Sequence, residues 1–125
     1  MGKRFLIDTN VLVDFQVRSL PQKGLDFVSE AIDDSFIISF VNYIEFLGYN
    51  HISESMESFI KLATVVEIDK NIINQTIKIR KETSLKLPDA IIAATAITNN
   101  YTLISRNYKD FKAIEGLDWI NPHEL

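Results

Sequence analysis

The amino-acid sequence predicts an α/β protein with a central parallel sheet, and three observations support this prediction. Short apolar segments of strand length alternate along the chain with segments in which apolar residues recur every three or four positions. The strand-like segments are mostly β-branched or aromatic, as in strands that are buried on both faces. Pro21, Pro88 and Pro122 fall at the edges of segments, and no linker or repeat interrupts the alternation. Strand and helix in alternation give a parallel sheet with right-handed crossovers.

The strands are predicted from short apolar runs. In chain order they are 5–7, 36–38, 65–68 and 102–104, and a weaker run at 117–120 could add an edge strand before Pro122. Apolar residues between the strands share helix faces. Three such faces are Leu25, Val28 and Ile32; Ile52, Met56, Phe59, Ile60 and Ala63; and Ile73, Ile77 and Arg80. The segment from Ala90 to about Asn99 is small and apolar on nearly every side, which predicts a central, close-packed helix.

Length and composition bound the class of protein. A chain of 125 residues predicts one domain, spanning residues 1–125, that buries roughly two thirds of its unfolded surface. No window approaches the roughly twenty consecutive apolar residues of a membrane span. Residues 1–4 lead directly into the first strand without the apolar stretch of a signal peptide. We therefore expect a cytoplasmic protein that does not associate with a membrane.

Charge and metal-binding residue types narrow the chemistry. The chain has no cysteine, and its two histidines, His51 and His123, are far apart in sequence. Any metal must therefore be held by oxygen. A net charge of -4 argues against a large basic surface for nucleic acid. It does not exclude a nuclease, because an acidic cluster that binds metal ions presents less negative charge to a phosphate.

Acidic and amide side chains border the apolar segments. Asp8 directly follows the first strand, and Asn107 and Asp110 follow the fourth. Asp89 comes directly after a proline, in the predicted first turn of the central helix. Glu45 shares a helix face with apolar residues and is predicted to point toward the core. Because sites in parallel α/β sheets lie beyond the carboxyl ends of the strands, these acids can converge, and a hard divalent cation is the simplest partner for them.

Each of these residues also has a purely structural explanation. Asp8, with the Thr and Asn that follow it, fits a helix cap. Asp89 fits an acid that complements a helix dipole. Asn107 and Asp110 fit ordinary turn and loop residues. Their combination is a stronger indication of a site than any one of them.

Four segments together resemble the PIN-domain family, in its VapC-type toxin group. They are Asp8-Thr9-Asn10 after the first strand, residues 44–48 around Glu45, residues 87–96 around Asp89, and residues 105–111. The resemblance covers essentially the whole chain, with the segments in order and at the expected intervals. The second and third segments are the most specific.

The resemblance implies a Rossmann-like, three-layer α/β/α sandwich with a central parallel sheet. It implies an endoribonuclease that depends on Mg²⁺ or Mn²⁺ and cleaves RNA. Asp8 and Asp89 would be the principal metal ligands, and Glu45 a third acid that binds metal directly or through water. The family's fourth acid falls where this chain has Asn107 and then Asp110, which leaves the binding of a second metal open.

The resemblance also implies partners. Proteins of this group are typically homodimers, silenced by a small antitoxin whose tail enters the acidic groove, often through an arginine. Ser105 would hydrogen-bond within the site. Arg80 or Arg106 could clamp a backbone phosphate, and the sequence does not distinguish between them.

The sequence is also compatible with three other interpretations. A receiver domain has a similar length, but the first strand here is followed by one acid rather than a pair, and Asp69 lacks evident Thr and Lys partners. A phosphatase of the haloacid-dehalogenase type would need a second aspartate where Asn10 stands. A catalytically weak PIN scaffold that binds nucleic acid or protein is the third, and a nuclease assay with an Asp8 variant separates it from the enzyme.

Overall fold

A parallel sheet of five strands forms the centre of the molecule in the computed structural model, which describes residues 3–125 apart from the side chain of Tyr108. Met1 and Gly2, which belong to the segment 1–4 that is predicted to lead into the first strand, lie outside the described residues. The elements in chain order are β1 (Phe5–Ile7), α1 (Thr9–Gln16), α2 (Gln22–Asp34), β2 (Ile37–Ser39), α3 (Phe40–Leu47), α4 (Glu54–Ile60), β3 (Thr64–Val66), α5 (Lys70–Glu82), α6 (Leu87–Thr98), β4 (Thr102–Ile104), α7 (Tyr108–Phe111), β5 (Trp119–Ile120) and a 3₁₀ helix (Pro122–Glu124).

The strand order places the first strand at the centre. The order is β3-β2-β1-β4-β5, and all neighbouring strands are parallel. The predicted strands, including the weak one at the edge, are confirmed, with ends that shift by one or two residues. The chain reverses its direction of strand addition between β1 and β4, so the crevice beyond their carboxyl ends is the expected position of a site.

Alternating side chains of the strands divide the core into two halves. Leu6, Ile37 and Leu103 belong to one buried cluster, together with residues of α5 and α6. Their successors Ile7, Ile38 and Ile104 belong to the other, together with residues of α1, α2 and α4. Since successive strand residues point to opposite faces, both faces of the sheet are covered by helices. The predicted three-layer α/β/α sandwich is therefore confirmed.

Helix α6 is the close-packed helix that its composition predicts. It buries Ala90, Ile92, Ala93, Ala94, Thr95 and Ala96. Small side chains let it lie close to both the sheet and α5. The helix begins at Leu87, its second residue is a proline, and Asp89 lies in its first turn, as predicted.

The predicted apolar face of α5 is wrong. Ile73 and Ile77 are 42% and 49% exposed, whereas Ile72 and Ile79 are buried. Two neighbouring stripes of this helix have equally apolar spacing, and contact with α6 selects the one that starts at Ile72. The predicted apolar face within residues 52–63 is confirmed as part of the core. Ile60 is buried in the second core cluster, and the partly buried members of the face pack against that cluster; they are Ile52, Met56, Phe59 and Ala63.

The carboxyl-terminal 3₁₀ helix packs directly on α2. A Cβ atom at Gly24 would lie 2.0 Å from the carbonyl oxygen of Pro122, so glycine is required for this close approach. Across residues 3–125, no helix combines the length and the apolar composition needed to cross a membrane.

Candidate active site

Asp8 is the central carboxylate of the sheet's carboxyl edge. It is 5% exposed and lies immediately after β1. Its Oδ1 accepts from the Thr9 backbone N–H at 2.8 Å and from Asn42 Nδ2 at 3.2 Å. Its Oδ2 accepts from the Ser105 hydroxyl at 2.8 Å and from Asn10 Nδ2 at 3.3 Å. Four donors thus fix the orientation of a buried carboxylate.

The helix-cap explanation of Asp8 is also correct. Asp8 is the N-cap of α1, with extended backbone, and its side chain accepts from Thr9. Because the same side chain is held by residues of α3 and of the chain after β4, it is more than a local cap. Burial raises the pKa of Asp8 even though its four hydrogen bonds act in the opposite direction.

Asp89 is the second carboxylate of the site, held in the first turn of α6. Burial, followed by the negative charges of Asp8, Asp110 and Glu45, raises the pKa of Asp89 to about 6, and Lys86 partly opposes this shift. Within the described part of the chain its carboxylate accepts no hydrogen bond, so its oxygens are open to a ligand. Asp8, Asp110 and Glu45 lie close enough to Asp89 to repel its negative charge, so the four predicted acids lie near one another.

Glu45 lies near this neighbourhood but not where the sequence predicts. It is exposed rather than pointed toward the core. The buried face of α3 runs through Asn42 and Phe46, which leaves Glu45 at the rim. There its Oε1 accepts from the Thr9 hydroxyl at 3.1 Å. This carboxylate therefore faces solvent and has the freedom that an outer ligand or a water-mediated contact requires.

The chain after β4 brings up the remaining predicted residues. The Ser105 hydroxyl is fully buried, donates to Asp8, and accepts from the Asn107 backbone N–H at 3.0 Å. The Asn107 side chain is half-buried, and the exposed Asp110 lies in α7 next to Phe111, which is 1% exposed and anchors this turn. Asp110 lines the same cleft as Asp89, whereas no hydrogen bond joins the Asn107 side chain to either aspartate in the part of the chain that the structure describes.

Two amide residues that contact Asp8 were not predicted as site residues from the sequence. Asn42 is fully buried, donates to Asp8, and also donates to the Thr9 hydroxyl. Asn10 donates to Asp8 and to the Ser105 hydroxyl, and its carbonyl oxygen accepts from the Arg106 backbone N–H. An asparagine at the centre of an otherwise apolar helix face is the signal that could have identified Asn42, because a buried amide requires partners.

Neither predicted phosphate clamp is free. Arg106 donates from one nitrogen to both carboxylate oxygens of Asp14, at 2.8 and 3.1 Å. The same carboxylate lies 2.8 Å from His123 Nε2, so Asp14 joins α1, the chain after β4 and the carboxyl-terminal helix. Arg80 donates to the Leu85 carbonyl at 2.8 Å and thereby stabilises the turn that leads into α6.

The donor set fits a hard divalent ion with few protein ligands. Among residues 3–125, no three acidic or histidine side chains are gathered tightly enough to form a ready-made metal cage. Mg²⁺ does not need one, since it usually keeps several waters and binds one or two carboxylates. The raised pKa values of Asp8 and Asp89 reflect buried and crowded negative charge, which a cation relieves. The orientation of Asp8 and the open oxygens of Asp89 fit this role.

Comparison with known proteins agrees with this fold. The PIN domain family model matches residues 5–117. Ribonuclease VapC1 of Methanocaldococcus jannaschii is 32% identical over an alignment of 118 residues, and the match covers 90% of this chain and 82% of the relative. A toxin–antitoxin complex from Klebsiella pneumoniae has a chain with 31% identity and a TM-score of 0.72, covering 96% of this chain and 98% of that one.

A DNA-bound VapBC complex from Salmonella typhimurium shares the fold, with a TM-score of 0.79 at 19% identity over 97% of this chain and 99% of that one. The family model over residues 5–117 and the 32% identical relative show that this α/β chain belongs to the PIN-domain family. Within that family it is similar to the VapC ribonucleases.

Proposed function

We propose that this chain is a metal-dependent endoribonuclease and the toxin of a toxin–antitoxin pair. The observation that carries the proposal is the pair Asp8 and Asp89. They meet beyond the central strands of the sheet, and burial together with repulsion from neighbouring acids raises the pKa of Asp89 to about 6. The 32% identity to a ribonuclease over most of the chain supports the reaction class.

The roles of the residues follow from their surroundings. Asp8 and Asp89 would hold Mg²⁺ or Mn²⁺, and Glu45 would contribute from the rim through a water. When bound, the ion supplies charge neutralisation at the phosphate and a nucleophile at neutral pH. Asn42, Asn10 and Ser105 keep the Asp8 carboxylate in one orientation, which limits the reorganisation needed when RNA binds. We assign Asn107 and Asp110 to the position of the family's fourth acid.

The proposal also covers partners. The acidic edge is a region where a guanidinium of an antitoxin would relieve the same repulsion as a metal. The solved structure from Klebsiella pneumoniae is a toxin–antitoxin complex, which supports such a partner. When the chain is co-expressed with its antitoxin, we expect cleavage to be suppressed. Full activity in the isolated complex would contradict this assignment.

The central test measures cleavage and metal binding in the same protein. We expect wild type to cleave single-stranded RNA with Mn²⁺ but not with EDTA, and Asp8→Asn and Asp89→Asn to lose at least about a hundredfold in rate. Mn²⁺ should raise the Tm of wild type by mass action and should leave that of Asp89→Asn unchanged. Asp33→Asn, an exposed acid on α2, is the matched control and should behave as wild type.

One observation favours a second candidate, a catalytically weak PIN scaffold that binds a partner. Asn107 stands where the family's fourth acid is expected, so this position of the site supplies an amide and no negative charge. For a scaffold, the RNA should stay intact and Mn²⁺ should leave the Tm of wild type unchanged. Metal-dependent cleavage that both aspartate variants abolish decides for the enzyme.

A further inference from the structure

A cleft of about 710 Å³ lies beside Asp89, and its walls come from separate elements. Lys81 is in the last turn of α5, Lys86 is the residue before α6, and Lys109 is in α7. Three acids, Glu82, Asp89 and Asp110, line the same space. We call this space the α5–α7 cleft. It therefore joins three cationic side chains to the carboxylates of the candidate active site.

No ion pair holds any of the three lysines of the α5–α7 cleft in the part of the chain that the structure describes. All three residues are exposed, and among the described residues no carboxylate oxygen lies within 4 Å of any of their Nζ atoms. Other cations of the chain have such partners, since Lys3 pairs with Asp118 and Lys61 pairs with Glu57. The proposed function assigns Asp89 and Asp110 to the acidic site, so the rest of the cleft lining holds three lysines against one acid, Glu82.

Cations that converge on a concave surface repel one another and attract anions to it. Three of them, supplied by three elements, suit a ligand with repeated negative charges better than a single small anion. The volume is in the range of clefts that hold small ligands, about 300–1,000 Å³. A flexible single strand can place a few nucleotides in a space of this volume.

We propose that the α5–α7 cleft binds the backbone phosphates of single-stranded RNA adjacent to the phosphate that is cleaved. This inference rests on the proposed nuclease function, because it assigns the cleft to the same substrate. Lys81 and Lys109 hold flanking phosphates by charge, and Lys86 lies close enough to Asp89 to lower its pKa. Phosphate contacts position the strand and carry no sequence information, so this part of recognition is independent of sequence.

Binding is tested without cleavage. Fluorescence anisotropy with a labelled single-stranded RNA is measured in the Asp8→Asn background with Mg²⁺, and again with wild type in EDTA in case that variant folds poorly. Lys81→Gln and Lys109→Gln should each weaken binding roughly threefold to tenfold at low salt. Each should also reduce the slope of log affinity against log salt concentration by about 0.7. Lys23→Gln, an exposed lysine on α2 outside the cleft, is the matched control.

The outcomes separate this inference from the proposed function. If wild type cleaves RNA and the cleft variants change neither KM nor the salt slope, the inference is wrong and the nuclease stands. A raised KM with unchanged kcat in Lys81→Gln and Lys109→Gln supports it. Equal binding of a duplex and a single strand would overturn the single-strand assignment. If wild type neither binds nor cleaves RNA, both proposals fail, and binding of an acidic peptide would then reassign the cleft to a protein partner.

Discussion

The raised pKa of Asp89 is typical of a partly buried carboxylate that lies near other carboxylates. Burial is the largest cause of its raised pKa, and Asp8, Asp110 and Glu45 add to the shift, which brings the value to about 6. The ordinary value is 3.8. The folded state therefore holds a proton on Asp89 more tightly than the unfolded state does. Its contribution to stability is fully present below about pH 3.8 and is lost as the pH rises through about 6.

Replacing Asp89 with asparagine should therefore stabilise the metal-free fold at neutral pH. We expect Asp89→Asn to raise the free energy of unfolding at pH 7.5 by about 1–2 kcal/mol, less than the full pKa shift because solvent screens this partly exposed group. Near pH 4 the gain should vanish. Urea denaturation in EDTA across this pH range measures it, with Asp33→Asn as the exposed control. A gain of equal size at both pH values would show that ionisation is not its cause.

Asn107 and Asp110 differ by one charge at the edge of the same site. If Asp110 supports the metal site, Asp110→Asn should raise the Mn²⁺ concentration needed for half-maximal RNA cleavage by roughly threefold to tenfold. Asn107→Asp should lower it. Unchanged metal titration curves for both variants would leave Asp8, Glu45 and Asp89 as the only candidate ligands.

At the scale of elements, Asp14 connects three parts of the chain that are distant in sequence. It is 4% exposed near the carboxyl end of α1, where a helix dipole disfavours an acid. Arg106, which follows β4, compensates for this charge, and His123 Nε2 in the 3₁₀ helix lies 2.8 Å from the same carboxylate. The Arg106–Asp14 ion pair thereby fixes the turn that carries Ser105 and Asn107 to α1. This ion pair stabilises the position of Ser105, which donates to Asp8 in the candidate active site.

Loss of this network should cost stability. We expect Asp14→Ala to lower the free energy of unfolding by about 2–3 kcal/mol, because it leaves Arg106 and His123 without their shared partner. Asp118→Ala removes an ion pair with Lys3 in which both side chains are exposed. This substitution should lower the free energy of unfolding by less than about 1 kcal/mol. Chemical denaturation of both variants provides the comparison. Equal losses would mean that the buried position of Asp14 has no special value.

At the scale of the whole molecule, the core explains most apolar side chains but leaves some exposed. Ile73 and Ile77 lie on the solvent face of α5, at 42% and 49% exposure. The family resemblance favours a homodimer, and exposed apolar side chains can be covered in one.

We expect sedimentation to give twice the mass of one chain at high micromolar concentration. The measurement is made on the chain without its antitoxin, so that only self-association contributes. A monomer throughout that concentration range would contradict the homodimer.

The sequence by itself determined the layers of the fold and the aspartates of the site. Strand-length apolar runs that alternate with helical periodicity leave few arrangements other than a covered parallel sheet. In such a sheet Asp8 and Ser105 both lie at the carboxyl edge, and the strand order of the structure, in which β1 pairs with β4, then brings them together. The position of Asp89 followed from local rules as well, because proline favours the first turn of a helix.

The tertiary structure alone decided which of several equivalent local patterns is used. Glu45 and the residues of α5 show this, since helical spacing allows adjacent stripes, and only contact with the sheet and α6 selects the one that is buried. The partners of Asn42, Arg106 and His123 are likewise long-range, with Arg106 separated from Asp14 by 92 positions and His123 by 109. Side-chain polarity requires such groups to find partners, but only the folded chain determines which partner lies within hydrogen-bonding distance.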